Sequence, residues 1–143
     1  RVKENLQGEI IENSYNSSDY TNELKWLRKQ RYIDLFNYYK GLIKVRKSFE
    51  GFYDLGESSA SNITFLTELP KQVIAYKIKG TYKKNDWEEV MVILNASMEQ
   101  IEIKLDSSEW KVLVDEKNAN SKGIKGIKEY ALVSPISVYV IGK

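Results

Sequence analysis

The segment RYIDLFNYYKGLIKVRKS, residues 31–48, decides how the rest of the chain can be interpreted. Its polar side chains, which include Asp34 and Lys40, fall mostly on one side of a helical projection. Its apolar side chains recur at the i, i+3, i+4, i+7 spacing of one helical face, namely Tyr32, Leu35, Phe36, Tyr39, Leu42 and Ile43. We therefore predict a helix over residues 32–48, with an apolar stripe that needs a large partner surface.

After residue 52 the apolar pattern changes to the period of two that is typical of strands. Ile101, Ile103 and Leu105 alternate with polar residues, whereas VMVIL at 90–94 is apolar on both faces and indicates a central strand. The predicted strands are residues 62–66, 73–79, 88–95, 100–105, 110–115, 128–133 and 136–141. Short polar connections, one of them 117–126, separate these strands. The pattern predicts a mainly β chain, an antiparallel β-sandwich preceded by a long loop and one long α-helix.

The composition excludes several classes of function. The chain has 143 residues, 22 basic against 20 acidic side chains and a net charge of +2, so neither nucleic acid nor a membrane surface is an expected partner. There is no cysteine and no histidine, which removes thiolate and imidazole nucleophiles, and we expect no cofactor and no metal site. No apolar run approaches a membrane span and no targeting segment opens the chain, so the compartment stays open between cytoplasmic and secreted. Because it begins at Arg1, we expect a piece of a longer polypeptide.

The acidic pairs are weak candidates for hydrolytic chemistry. Glycosidic hydrolysis needs two carboxylates that face each other across the bond. Glu88-Glu89 and Asp115-Glu116 are neighbours in predicted strands, and neighbouring strand residues point to opposite faces. We therefore interpret them as solvated strand ends and turns. Three segments match the glycosylation sequon, beginning at Asn16, Asn62 and Asn95.

The long polar loop within residues 1–30 is the sharper candidate for binding. Asn13, Tyr15, Asn16 and Asp19 combine amide, phenol and carboxylate groups with an aromatic ring. That mixture suits a sugar, whose hydroxyls accept and donate hydrogen bonds and whose C–H faces stack on aromatic rings. The alternative is a loop tied down by its own side-chain turns.

Two motifs in this region resemble a known family. NSYNSSDYTNELKW (13–26) and LFNYYKGLIKVRKS (35–48) resemble the carboxyl-terminal part of type I pullulanases, the starch-debranching branch of the α-amylase superfamily. The family has an N-S-Y-x-S-x-D loop after the last barrel strand and a final barrel helix with Y-Y-K-G-L-I-x-x-R-K. The similarity continues through VIAYKIKG (73–80), VMVILNAS (90–97), WKVLVDEKNA (110–119) and PISVYVI (135–141).

The resemblance implies an enzyme that hydrolyses α-1,6-glucosidic branch points in pullulan, amylopectin or glycogen-like α-glucans. Its aspartate nucleophile, glutamate acid/base and second aspartate would lie on earlier (β/α)8 barrel strands, so this chain alone would be non-catalytic. Residues 1–49 would be the last loop and terminal helix of that barrel, and residues 50–143 the C-terminal sandwich. Asn13, Tyr15 and Asp19 would then bind substrate at the cleft rim. Lys25 stands where the family usually has an acidic residue, and residues 3–12 depart from the usual short run.

Two further hypotheses follow for the helix and the sandwich. Without its barrel partner, the face formed by Tyr32, Phe36, Tyr39 and Ile43 would pack wholly on the sandwich, remain exposed, or mediate self-association. The sandwich could instead be a stand-alone carbohydrate-binding module that uses exposed aromatics, for which Tyr82, Trp87 and Trp110 are candidates. Trp110 also continues the alternation with Val112 and Val114, which indicates the core. An immunoglobulin-like interaction domain fits the strands but leaves the loop and helix unexplained.

Overall fold

Three α-helices precede the strands in the part of the chain that the structure describes. They are α1 (Asp19–Asn22), α2 (Leu27–Arg31) and α3 (Ile33–Ser48), so the predicted long helix is confirmed to within one residue. The loop prediction for residues 1–30 was incomplete, since α1 and α2 are short helices inside that segment. The computed structural model describes residues 3–53, 56, 59–80 and 87–143. The chain divides into two compact units, Arg1–Asp34 and Leu35–Lys143.

The strands of the described residues follow the predicted order. They are β1 (Ile63–Phe65), β2 (Val73–Lys79), β3 (Glu89–Asn95), β4 (Ile101–Lys104), β5 (Trp110–Val114), β6 (Lys125–Ile127), β7 (Tyr130–Val133) and β8 (Ser137–Gly142). The short edge strand β6 was missed, because Lys125, Gly126 and Ile127 give too brief an alternation and lie next to a polar turn. The prediction of a mainly β, antiparallel fold is confirmed.

Two sheets form the sandwich. The larger is six-stranded in the order β1-β2-β3-β8-β5-β6, and the smaller pairs β4 with β7. Strand β3 lies inside the larger sheet, between β2 and β8, and four consecutive residues from Val90 to Ile93 are buried. This explains why VMVIL is apolar on both faces, as the sequence predicted.

A first apolar cluster fills the space between the sheets. It contains Met91 and Ile93 of β3, Ile101 and Ile103 of β4 and Trp110 of β5, together with residues of β2, β7 and β8. The remaining buried members are Val73, Ala75, Leu105, Val112, Ala131, Val133, Tyr139 and Ile141. The smaller sheet therefore covers one face of the larger sheet.

Helix α3 covers the opposite face of the larger sheet through a second cluster. Val45 and the following Phe49 are buried there, with half-buried Tyr38 and Leu42 packed against them. Their partners on the sheet are Ile78, Trp87, Val90, Val92, Leu113, Val114 and Val140. The described part of Leu35–Lys143 is thus layered as helix, large sheet and small sheet, and no described helix is long and apolar enough to cross a membrane.

The apolar stripe predicted from the sequence is not the face that packs on the sheet. Apart from Leu42, which is half-buried, its side chains are exposed; for Tyr32, Phe36, Tyr39 and Ile43 the exposed fraction lies between 40% and 61%. The helix packs inward through Tyr38, Gly41, Leu42 and Val45 instead. Of the three expectations for Tyr32, Phe36, Tyr39 and Ile43, complete packing on the sandwich is wrong, because these side chains remain exposed.

Two contacts hold α3 against the turn after β5. The Tyr38 hydroxyl donates a hydrogen bond of 3.0 Å to the backbone oxygen of Asp115. A Cβ on Gly41 would lie within 2.9 Å of three atoms of Ala119, so only glycine allows this approach of helix and turn. Gly41 of the segment YYKGLI and Ala119 of the segment DEKNA therefore pack directly against each other.

Candidate functional site

The polar loop, which we define as residues 13–22, is organised by hydrogen bonds within the unit Arg1–Asp34. Asn22 Nδ2 donates to the backbone oxygens of Ser14 (3.0 Å) and Ser17 (3.1 Å). Lys3 Nζ donates to Asn22 Oδ1 at 2.7 Å and to Ser14 Oγ at 2.5 Å. Asn22 and Lys3 thus fix the loop, a role that residue spacing does not reveal because Lys3 lies 11 residues before Ser14.

The predicted binding residues lie on the exposed side of this loop. Asn13 Oδ1 accepts a hydrogen bond of 3.1 Å from the backbone N–H of Tyr15, and the Tyr15 side chain is 94% exposed. Asp19 is also exposed and is the first residue of α1, where its backbone oxygen accepts from Glu23 N. Local side-chain turns therefore shape the loop, while Asn13, Tyr15 and Asp19 as sugar contacts stay a prediction.

A hollow of about 640 Å³ lies beyond the loop, in the same unit. Its lining combines aromatic, aliphatic and cationic side chains: Tyr20, Glu23, Leu24, Lys25, Trp26, Leu27, Arg28 and Arg31. Lys25 Nζ lies 4.0 Å from the centre of the Tyr20 ring, so the residue that departs from the family pattern makes a cation–π contact. Trp26 is 74% exposed.

The tryptophans proposed as sugar platforms on the sandwich are buried. Trp110 is fully buried in the first cluster, as its alternation indicated, and Trp87 is buried in the second cluster. Trp87 Nε1 donates to the Ser121 backbone oxygen at 3.2 Å, and its ring leaves no space for a Cβ on Gly142. As exposed aromatics, Trp87 and Trp110 were wrong predictions, because each ring completes a core; Tyr82 lies outside the described residues.

Two lysines lie over the ring of Trp110 and pair with two carboxylates: Lys77 Nζ is 5.5 Å and Lys143 Nζ 4.7 Å from the ring centre. Lys143 Nζ lies 2.5 Å from Asp106 Oδ2 and 3.6 Å from Glu89 Oε1, and Lys77 Nζ lies 3.2 Å from Glu89 Oε1. Trp110 Nε1 donates to Asp106 Oδ1 at 2.9 Å. The bond from Lys143, followed by those from Trp110 and Ser108, holds the pKa of Asp106 well below its usual range. Burial lowers the pKa of Lys143, but the bonds to Asp106 and Glu89 outweigh it and raise that pKa.

These contacts assign structural roles to the adjacent carboxylates. Glu89 is held between two lysines, and Asp115 Oδ1 accepts the backbone N–H groups of Lys117 (2.9 Å) and Asn118 (2.6 Å). Within residues 3–53, 56, 59–80 and 87–143, no group of three or more acidic, histidine or cysteine side chains could hold a metal ion. Glu89 and Asp115, one residue of each acidic pair, are therefore held by contacts within the fold.

Asn95, one of the three sequon asparagines, is buried, and both polar atoms of its side chain make hydrogen bonds within the fold. Its Nδ2 donates to the backbone oxygens of Glu99 (2.8 Å) and Ser134 (2.9 Å). Its Oδ1 accepts from Ser97 N (3.0 Å) and Ser97 Oγ (2.7 Å). The motif NAS after β3 is therefore a side-chain turn that ties β3 to the segment before β8.

Comparison with known proteins identifies the strands. A family model described as the pullulanase all-beta domain matches residues 60–118, which include β1 to β5. The curated pullulanase of Bacillus subtilis (strain 168) is 30% identical over 95 residues, which is 66% of this chain and 13% of that relative. The strand region of this chain is therefore similar to that of pullulanases. The resemblance to the carboxyl-terminal part of pullulanases, stated from the motifs, is thereby confirmed.

Solved pullulanases share the fold over nearly the whole chain. The enzyme from Bacillus acidopullulyticus matches with a TM-score of 0.81 and 25% identity, over 95% of this chain and 16% of its own. The type I pullulanase of Bacillus subtilis strain 168, solved in complex with maltose, matches with a TM-score of 0.75 and 27% identity, over 95% of this chain and 19% of its own. This chain therefore spans less than a fifth of the length of these relatives.

Proposed function

We propose that this chain is the non-catalytic carboxyl-terminal portion of a longer enzyme that hydrolyses α-1,6-glucosidic branch points in α-glucans such as pullulan, amylopectin or glycogen. Similarity to pullulanases supports the reaction class, and one solved relative is a complex with maltose, an α-glucan fragment. The chain contributes the structural sandwich and a loop at the substrate cleft. The carboxylates that cleave the bond belong to the part of the enzyme that precedes residue 1.

The observation that carries this proposal is that α3 has two apolar faces. One face packs on the large sheet through Leu42 and Val45, and the other exposes Phe36, Tyr39 and Ile43. An exposed apolar face on a packed helix is typical of a surface that a further part of a protein covers. We therefore assign residues 1–49 to the end of a (β/α)8 barrel, with α3 as its last helix, and residues 50–143 to the sandwich that covers it.

The polar loop supplies the proposed contact with substrate. In barrels of this kind the active site lies on loops that follow strands. Tyr15, almost fully exposed, offers a ring for stacking, while Asn13 and Asp19 offer amide and carboxylate groups to sugar hydroxyls. The bonds from Asn22 and Lys3 hold the loop backbone in place, so these three side chains need little reorganisation to bind.

Kinetics on pullulan test this function in the longer polypeptide. We expect Tyr15→Ala to raise KM about tenfold, because a stacking contact of roughly 1–1.5 kcal/mol is lost. Tyr130→Ala, which removes a half-exposed tyrosine of β7, is the matched control and should leave KM unchanged. Residues 1–143 alone should release no reducing sugar. Equal KM values for the Tyr15 variant and the parent would show that the loop does not bind substrate through Tyr15. Hydrolysis by residues 1–143 alone would refute the non-catalytic role.

Self-association through Tyr32, Phe36, Tyr39 and Ile43 stays a prediction for residues 1–143 in isolation. Sedimentation velocity tests it directly: a dimer that Tyr39→Gln converts to a monomer would support this contact. A monomer at every concentration would show that the exposed face does not drive assembly by itself.

A further inference from the structure

Within the described part of Leu35–Lys143, one end of the large sheet is uncovered on the same face that carries α3. Along β2, Ile78 is 5% exposed beneath the helix, whereas Ile74, on the same face of the strand, is 53% exposed. Along β8 the corresponding values are 7% for Val140 and 43% for Val138. On both β2 and β8, which flank β3, the side chains become exposed in the same direction along the strand. The exposure therefore reflects a missing layer and not an isolated side chain.

These exposed side chains form a continuous surface. Ile74 pairs with Leu94, and Leu94 pairs with Val138, so three apolar side chains stand side by side across β2, β3 and β8. On β1, Phe65 pairs with Tyr76, and the two ring centres lie 5.6 Å apart. We define Phe65, Ile74, Tyr76, Leu94 and Val138 as the bare sheet patch. Tyr76 and Leu94 also pack against the cluster beneath α3, so the patch continues that core.

The chemistry of the patch restricts its occupant. The backbones of β2, β3 and β8 are already paired on both sides, so the patch offers side chains and not strand edges. Its members carry no charge, which disfavours an ionic partner. Four residues of strand separate Ile78 from Ile74, about 13 Å at ~3.3 Å per residue, and a helix with its side chains is about 10 Å wide. One more apolar helix face fits beside α3.

We infer that the bare sheet patch docks an apolar helix face from the part of the polypeptide outside residues 1–143. This rests on the proposed function, in which these residues belong to a longer chain. The curated relative is matched over only 13% of its length, so a large remainder of a pullulanase is available as the partner. The family model of the pullulanase all-beta domain matches residues 60–118, a range that contains four of the five patch residues. The helix from outside residues 1–143 completes the layer that α3 begins.

Cysteine labelling tests this docking, because residues 1–143 contain no cysteine. Ile74→Cys and Val138→Cys place a thiol in the patch. Leu132→Cys, at a residue that is 54% exposed on β7, is the control of matched exposure, and Ala131→Cys reports unfolding because Ala131 is buried. Each variant is made in residues 1–143 and in the longer polypeptide, whose other cysteines are replaced by serine, and reaction with a maleimide is followed by mass spectrometry.

We expect the patch thiols to react at least tenfold more slowly in the longer polypeptide than in residues 1–143. The Leu132→Cys thiol should react equally in both, and the Ala131→Cys thiol should stay unreactive. Equal rates for Ile74→Cys in the two chains would overturn the inference. Protection in residues 1–143 as a monomer would mean that the patch is already covered within them, which overturns it as well.

The same variants separate other occupants. Protection that appears only with dimer formation in sedimentation would assign the patch to a second copy, and protection only on addition of maltotetraose would assign it to sugar; both results contradict the docking. Pullulan hydrolysis by the longer polypeptide without substitutions is measured separately. Protection without hydrolysis would refute the proposed function and leave the docking intact. Hydrolysis without protection would support the proposed function and refute the docking.

Discussion

Single residues of the family motifs are explained by close contacts in the structure. Gly41 is buried where α3 meets the turn after β5, and Asn95 makes hydrogen bonds through both side-chain atoms at the end of β3. Each position demands its residue for a local reason: Gly41 has no space for a Cβ, and Asn95 satisfies donors and acceptors that no apolar side chain could satisfy. These residues therefore stabilise the fold independently of any role in catalysis.

Gly41→Ala is expected to lower the free energy of unfolding by about 1–3 kcal/mol, since the added Cβ meets the backbone of Ala119. In an exposed helix the same change stabilises by about 1 kcal/mol, so the sign of the effect is diagnostic. Asn37→Ala, at an exposed position one turn earlier, is the control and should be neutral or stabilising. Urea denaturation followed by circular dichroism measures both. A Gly41→Ala chain as stable as the parent would contradict the close approach.

Asp106 is expected to make stability depend on pH in acid. Its folded-state pKa is lowered, chiefly by the bond from Lys143, so its stabilisation is complete above the ordinary value of about 3.9 and is lost as pH falls through the folded-state pKa. Asp106→Asn should therefore be less stable near neutral pH and lose less stability below pH ~4. Glu102→Gln, exposed on β4, is the control. Parallel curves of unfolding free energy for Asp106→Asn and the parent would contradict this role.

At the scale of the element, α3 shows how a helical pattern can conceal two faces. The regular stripe that predicted the helix points mostly outward, and the inward face includes a tyrosine and a glycine that contribute little to an apolar count. Tyr38 packs its ring on the second cluster while its hydroxyl reaches Asp115, and burial followed by the nearby carboxylates Asp115 and Glu116 raises its pKa. The sheet-facing side therefore depends on shape as much as on hydrophobicity.

Adjacent substitutions on α3 distinguish its two faces. Leu42→Gln places an amide in the cluster beneath the helix and should lower the free energy of unfolding by about 2–3 kcal/mol. Ile43→Gln changes an exposed side chain and should stay within about 0.5 kcal/mol in residues 1–143. Thermal and urea unfolding measure the difference. Equal losses for the two variants would mean that the helix is rotated from the orientation described above.

At the scale of the whole molecule, the two apolar clusters belong to one unit. Every member of both clusters lies between Leu35 and Lys143. The unit Arg1–Asp34 contains short helices and a loop held by side-chain hydrogen bonds, with no member of either cluster. The cooperative stability of the chain is therefore expected to reside in the helix-covered sandwich.

A fragment of residues 32–143 should consequently fold by itself. We expect a single cooperative unfolding transition and the near-ultraviolet circular dichroism of buried Trp87 and Trp110 to be retained. A fragment that begins at residue 50 lacks α3 and exposes the second cluster, so it should lose stability or aggregate. Loss of the near-ultraviolet signal in residues 32–143 would show that the first unit is required for folding.

Periodicity alone determined most of the element list. Strict alternation at Ile101, Ile103 and Leu105 and the doubly apolar run of β3 predicted strands that the structure contains. Alternation depends only on neighbouring residues along the chain, so it can be recognised without knowledge of the fold. The edge strand β6 was not predicted because three residues with an interior glycine show no periodicity. It is a strand because it pairs with β5.

The loop was predicted less completely than the elements. Its residue types indicated a polar surface, and Asn13, Tyr15 and Asp19 lie exposed there. The bonds from Lys3 and Asn22 depend on how the loop folds back on itself, so spacing did not reveal them. Trp87, a candidate platform in the binding-module alternative, is buried for the related reason that burial is set by what packs on a side chain.

Periodicity and motif identity were sufficient to predict the helix, seven of the eight described strands and the similarity to pullulanases, because both are properties of contiguous residues. Long-range packing set which face of α3 meets the sheet, the burial of Trp87, and the exposure of Phe65, Ile74 and Val138. Those outcomes depend on contacts between residues far apart in the chain. The burial of a side chain is fixed by its neighbours in space, which no local pattern records.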